Sequence, residues 1–203
     1  MDHIEKELEA GRAVILPTET VYGIFAKALD QESVDYIYEL KRRPRDKALN
    51  LNVADEKTIR IYSKKQPSYL TKLIHSFLPG PLTIILQANE KVPNWIHSGL
   101  DTVGFRIPAH SKTLDLIRKY GPLVGPSANL SGHASGTKYR AIVSEFDQVV
   151  PGIEDDDFLT GQDSTILDIS SSKARILRQG SITKADLLAQ VPELSFEEDE
   201  LPQ

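Results

Sequence analysis

Leu16-Pro17-Thr18-Glu19-Thr20-Val21-Tyr22-Gly23 follows a short apolar run, Ala13 to Leu16, that reads as a buried strand. Pro17 has no backbone donor and a fixed φ, so regular pairing stops there. In an extended chain, side chains alternate in direction. Thr18, Thr20 and Tyr22 would then project one way, and Glu19 and Val21 the other. Three hydroxyls at the end of a buried strand make a floor for a small polar ligand. A plain strand-to-turn exit, with Gly23 supplying backbone freedom, would leave the same trace.

Further along, Lys41-Arg42-Arg43-Pro44 adds charge. Residues 31 to 41 carry apolar side chains at 34, 37, 38 and 40, which predicts a helical face. Pro44 disfavours α geometry at Arg43, so the helix is expected to end near Arg42. In the extended segment beyond, Lys41 and Arg43 are expected on one side, joined by Arg45 and Lys47. Between Lys41 and Lys47 there are five cations and one anion, Asp46. That density suits several phosphate oxygens. A solvated basic loop has the same composition.

The chain has 203 residues and a net charge of −5. Its length fits a single domain, 1–190, followed by an acidic tail, 191–203, expected to be flexible. A net negative charge argues against a protein whose main task is to coat duplex nucleic acid. There are no cysteines, which excludes disulfides, thiolate nucleophiles and cysteine-based zinc sites. No apolar run reaches the length of a membrane span, so no membrane association is expected. The N-terminus lacks a basic region followed by an apolar one, and a cytoplasmic location is the expectation.

Strands are expected at Ala13–Leu16, Ala48–Val53, Leu82–Gln87, Thr102–Ile107, Leu123–Gly125, Ser164–Ile169 and Ala174–Arg178. Helices are expected at Asp2–Glu9, Gln31–Lys41, Ser68–Phe77, Lys112–Lys119, Lys138–Phe146 and Thr183–Ala189. The acidic run Glu154–Asp157 reads as a solvated loop, without calcium-loop spacing.

Walker-type, dinucleotide-binding and His-Glu-x-x-His patterns are all missing. The five histidines show no metal-ligand spacing. What remains is a set of polar residues placed after strands. Ser127 and Asn129 follow a short apolar strand and share a direction if the segment is extended; an Asx-type turn is the alternative. Arg106 lies in an apolar strand and needs an anionic partner, either Glu19 or a bound carboxylate. Arg178 closes the apolar run beside the strand opened by Ser164 and Thr165.

Six motifs then occur together and in order: residues 17–23, Lys41-x-Arg43-Pro44, Pro79-Gly80-Pro81-Leu82-Thr83, residues 102–108, Ser127-Ala128-Asn129-Leu130-Ser131-Gly132, and Asp163-Ser164-Thr165 with Ile176-Leu177-Arg178. In this the chain resembles the YrdC/Sua5 family, the threonylcarbamoyl-AMP synthases, from about residue 5 to 190. It resembles the short form, without the C-terminal domain of the longer members. Departures are Ile24-Phe25 where the family often has Leu-Gly, Asn52 where many members have His, and Ser135-Gly136-Thr137 in place of Ser-Pro-Thr.

The resemblance implies an α/β (α+β) fold, a twisted mixed sheet flanked by helices around a deep basic cavity. It implies an enzyme that forms threonylcarbamoyl-AMP and pyrophosphate from L-threonine, bicarbonate and ATP. Magnesium would come with ATP, and no tightly bound, protein-ligated metal is expected. A partner protein complex would transfer the threonylcarbamoyl group to tRNA, with at most a weak tRNA contact here. The implied roles put Lys41 and Arg43 in catalysis. Arg43, Lys47, Thr102, Asn129, Thr137 and Arg178 would hold ATP. Thr20, Tyr22, Asn52, Arg106, Ser127 and Ser164 would hold threonine. Two other readings are a structured-RNA-binding module of the same fold and the related carbamoyl-adenylate chemistry of hydrogenase-maturation proteins.

Overall fold

Leu82–Ala88 (β5) is the longest strand, and all its apolar residues but the half-buried Ile85 are buried. Thr102–Arg106 (β6) pairs antiparallel to it, and Thr165–Asp168 (β8) pairs parallel along its first half. Ser63–Lys64 (β4) takes up the far end of β5, beyond β8. The remaining strands are Val14–Leu16 (β1), Gly23–Lys27 (β2), Leu51–Asn52 (β3), Leu123–Val124 (β7) and Arg175–Arg178 (β9). They form one mixed sheet in the order β1-β2-β7-β3-β6-β5-β8-β9. The computed structural model describes residues 2–146 and 150–197.

The helices are Asp2–Glu9 (α1), Gln31–Lys41 (α2), Glu56–Tyr62 (α3), Leu70–Phe77 (α4), Asn94–His97 (α5), Ser111–Tyr120 (α6), Tyr139–Glu145 (α7) and Lys184–Gln190 (α8). The caps explain several boundaries. Asp30 accepts the Glu32 N–H at the start of α2, and Arg42 ends it in the left-handed region at φ 49. That is where Pro44 places the stop. Thr183 and Asp186 form a reciprocal capping box on α8. A large apolar cluster includes Ile24, Leu51, Ile84 and Phe105, and a smaller one includes Leu8, Leu16, Phe25 and Ile117.

Four elements carry no clear sequence signal: β2, α3, β4 and α5. β2 pairs antiparallel with β1, so the 17–22 segment joins two strands and is not itself extended. Gly23 contributes space more than freedom, since a Cβ there would stand 2.5 Å from the Phe25 ring. The expected strand Ala48–Val53 shrinks to Leu51–Asn52 because β3 spans only two residues between β7 and β6.

Two further expectations are corrected. Part of the tail is anchored: Ala174 N–H donates to Ser195 O at 2.7 Å and Glu197 N–H to Ala174 O at 3.1 Å. Val191 and Leu194 are buried, so 190 is not where packing ends. Residues 198–203 of that tail lie outside the described residues. The acidic run is also not simply solvated, because Asp155 and Asp156 are tied into the interior by Tyr22 and His110.

Candidate functional site

A cavity of about 260 Å³ opens where the ends of β2, β3, β6, β7 and β8 converge. Its first wall is the 18–23 segment. Thr18 Oγ donates to the Val21 carbonyl at 2.7 Å and accepts the Thr20 N–H at 3.2 Å. This hydroxyl-closed turn replaces the alternation expected of an extended chain. Thr18, Val21, Tyr22 and Gly23 therefore all line the cavity, while Thr20 lies behind them, 1% exposed.

Thr20 works through Arg106. The Arg106 guanidinium, at the end of β6, donates from Nη2 to Glu19 Oε1 and to Thr20 Oγ, both at 2.7 Å. Glu19 Oε2 accepts the Ala109 N–H at 2.9 Å. Arg106 thus finds Glu19, one of the two partners its burial demands. Its Nε is buried without a partner among the described residues. A buried guanidinium N–H without an acceptor is a costly group unless a ligand supplies one.

The opposite side carries Arg43, Ser127, Ser164 and Arg178. Arg178 Nε donates to Ser164 O at 3.0 Å and its Nη2 to Ser164 Oγ at 3.1 Å. Ser164 Oγ also lies 3.0 Å from Thr83 Oγ. Arg43 Nη2 donates to Ala48 O at 2.9 Å. Asn52 completes the lining between the two sides and is 4% exposed. Three arginines therefore face one carboxylate, Asp163, on the described lining, a balance that favours an anionic ligand.

Tyr22, Arg43, Asn52, Arg106, Ser127, Ser164 and Arg178 thus come together on the cavity wall. Thr20, behind the wall, and five other expected residues do not. Lys41 is 2% exposed, and its ammonium donates to the carbonyls of Ser127 and Asn129. It lies under the loop, and burial, with Arg43 nearby, lowers it to about 8. Lys47 is exposed, and its own carbonyl accepts from Tyr38 and Arg43. Thr102 begins β6, and four residues at about 3.3 Å each put it ~13 Å from Arg106. Asn129 Nδ2 donates to Leu130 O and His133 O at 2.9 Å each, bracing its own loop, while its Oδ1 is buried without a partner among the described residues, so no Asx turn forms. Thr137 packs beside Gly161, off the lining.

Sequence reasoning missed Asn50, Thr83 and Asp163, all on the wall. Each had a signal. Asn50 and Asn52 alternate within Leu49-Asn50-Leu51-Asn52, and Thr83 and Asp163 sit inside quoted motifs. Asn50 lies directly over Gly104, where any Cβ would stand 2.1 Å from Asn50 Oδ1.

The chain is similar in sequence and fold to known proteins. A family model described as telomere recombination, covering Sua5, YciO and YrdC, matches residues 6–180. The chain is 38% identical over 177 residues to threonylcarbamoyl-AMP synthase of Pyrococcus abyssi, covering 86% of this chain and 52% of that one. It is 37% identical over 185 residues to the Bacillus subtilis enzyme of that name, covering 90% and 54% respectively. The chain therefore spans about half the length of these curated relatives. Among solved structures, P. abyssi Sua5 complexed with L-threonine superposes with a TM-score of 0.87 at 35% identity, covering 95% of this chain and 57% of that one. The fold also matches Escherichia coli YciO, with a TM-score of 0.78 at 21% identity over 89% of this chain and 88% of that one.

Proposed function

The chain belongs to the Sua5/YciO/YrdC family, and from that premise we propose that it forms threonylcarbamoyl-AMP from L-threonine, bicarbonate and ATP. The observation that carries this is the two-sided cavity. One side offers hydroxyls and the unpartnered Arg106 Nε, which suits an amino-acid carboxylate. The other offers Arg43 and Arg178, which suits a polyphosphate.

The reaction needs little covalent help from the protein. The threonine amine and bicarbonate give an N-carboxy-threonine and water. Its new carboxylate oxygen bonds to the α-phosphorus of ATP, the bond to the bridging oxygen breaks, and pyrophosphate leaves. The protein's share is positioning and charge neutralisation. Arg106, held by Glu19 and Thr20, orients the threonine carboxylate. Arg43 and Arg178 neutralise charge on the departing pyrophosphate. Ser164, fixed by Arg178 and Thr83, and Asn52 contact threonine between them. Lys41 acts from beneath, by shaping the Ser127–Asn129 loop. Magnesium enters as part of the ATP substrate. The adenylate passes to a transfer complex acting on tRNA, in the cytoplasm. No described helix is long and apolar enough to cross a membrane.

Mass detection of the adenylate in a mixture of threonine, bicarbonate and ATP tests the proposal. Pyrophosphate release is expected to require all three. A site that bonds a substrate hydroxyl rejects analogues lacking it by up to ~10⁴-fold, so alanine and valine should fail and serine should be poor. Pyrophosphate release without threonine, or equal rates with valine, would overturn it.

A further inference from the structure

The acidic run Glu154–Asp157 has no place in the chemistry above, yet it is bonded to Tyr22, which lines the cavity. Residues 151–161 run alongside the 15–22 segment. Ile15 N–H donates to Pro151 O at 2.8 Å, and Ile153 N–H to Ile15 O at 3.0 Å. Further on, Thr160 N–H donates to Glu19 O at 3.1 Å and Gly161 N–H to Thr20 O at 2.8 Å. Between these ends sits the Tyr22 phenol. Tyr22 is 0% exposed, so water does not serve its hydroxyl. The hydroxyl donates to Asp156 Oδ1 at 2.9 Å and accepts the Asp155 N–H at 2.7 Å.

Asp156 is itself fixed. Its Oδ1 also accepts the Tyr139 N–H at 2.8 Å, and the Lys138 ammonium lies 3.7 Å from Oδ2. The neighbouring Asp155 Oδ2 stands 3.1 Å from His110 Nε2, and the His110 ring meets Phe158 edge-on at 4.9 Å. The backbone of Tyr22 faces the other way. Its carbonyl accepts the Ala128 N–H at 2.8 Å, and its N–H reaches Gly136 O at 3.4 Å. Tyr22 is thus the joint between the 151–161 segment and the loop that carries Ser127.

We propose that Asp156 is a positioning residue for the cavity, acting through the Tyr22 phenol, and that the acidic run is a strap holding the 18–23 wall against the Ser127 loop. The identity of the ligands that feel this rests on the proposed function; the strap itself does not. An acceptor at Oδ1 is what the phenol requires, and the negative charge is secondary. Asp156→Asn keeps that acceptor and Asp156→Ala removes it. Tyr22→Phe keeps the ring and removes the hydroxyl.

The test reads two quantities. Without ligand, amide hydrogen exchange at Ala128 should quicken at least severalfold in Asp156→Ala and stay near wild type in Asp156→Asn. With ligand, the L-threonine dissociation constant should rise about tenfold in Asp156→Ala, a modest share of the ~10²-fold that a 1 Å misplacement can cost. Tyr22→Phe should give both shifts by itself, which keeps the test alive if Asp156→Ala fails to fold. Adding Asp156→Ala to Tyr22→Phe should change neither further, because the two act as one unit. Unchanged exchange at Ala128 in both single variants, or full additivity in the double, would overturn the strap. Wild-type protein that binds no threonine would overturn the proposed function, and the exchange result would still decide the strap.

Discussion

The chain brings cations to its cavity by two routes, and the two behave differently. Residues 41–47 concentrate five cations in one loop. Of these, only Arg43 is on the cavity lining. Lys41 turns inward to carbonyls, Arg45 pairs with Asp35 and lies 4.7 Å over the Tyr38 ring, and Arg42 and Lys47 are exposed. The strands β6 and β9 each offer the cavity a single arginine, Arg106 and Arg178, and both enter it. Density in a loop fixes local charge but not direction. Arg106, part-buried in an apolar strand, has few places to go, and a polar cavity at the strand end is one of them. Arg178, on the more exposed β9, is aimed by its bonds to Ser164, while Arg175 of the same strand pairs with Asp168.

The comparison can be broken most forcefully at Glu19. Glu19→Ala leaves the Arg106 guanidinium, 13% exposed, without its carboxylate. Truncating one partner of a buried pair costs ~3–5 kcal/mol, so the denaturation midpoint should fall sharply. A midpoint near wild type would show that the strand-borne arginine needs no such anchor. Next comes Arg43→Ala, expected to cost roughly 2–5 kcal/mol of transition-state stabilisation in kcat/KM. Arg43→Lys should recover part of it, since a point charge lacks the planar fork. Turnover at the wild-type level in folded Arg43→Ala protein would remove the loop from the site altogether.

Lys41→Met should act on stability first. Each carbonyl left unpaired costs about 1–3 kcal/mol, and Ser127 and Asn129 both lose their donor. Lys41 also gives the loop a pH signature. Its value falls from 10.5 to about 8 on folding, so the folded state releases this proton first. Wild-type stability should therefore rise relative to Lys41→Met as pH climbs through 8, with a slope of at most ~1.4 kcal/mol per pH unit. Tyr22, raised above the phenol range chiefly by burial, lowers the stability of both proteins alike above pH 10 and so leaves the difference unchanged. Thermal melts between pH 8 and 10 read the effect, and parallel curves would contradict it. The smallest effects belong to Arg45→Ala and Lys47→Ala, within ~0.5 kcal/mol as for other surface changes. A large loss of ATP binding in either would restore the loop as a whole to the site.

Much of the fold was legible because periodicity and caps are local. α2 and its stop at Arg42 followed from the 34/37/38/40 spacing and Pro44. The β8–β9 hairpin followed from two apolar runs about a Ser/Lys turn. β2 was illegible because Gly23-Ile24-Phe25-Ala26-Lys27 is buried on both sides and shows no alternation. β3 and β4 are two-residue pairings that exist only because a neighbouring strand passes by. The site divided along the same line. Arg106 and Arg178, singled out through their own strands, line the cavity, whereas Asn129 and Lys41 lie off its lining, the Asn129 amide N–H groups held by nearby carbonyls and Lys41 by a loop remote in sequence. No local pattern announces such bonds.

The strand order has a consequence for the growing chain. β7 inserts between β2 and β3, and β8 lies beside β5, so spatial neighbours are far apart in sequence. Such non-local pairings are slow to form and leave strand edges open meanwhile. The cavity draws on residues from Thr18 to Arg178. During synthesis, a ribosome must release nearly all of these residues before the pocket can close, and neither half of it can capture a ligand alone. Ligand capture by a nascent chain would therefore be a late event, open only once β8 and β9 have joined the sheet and brought Ser164 and Arg178 to the cavity.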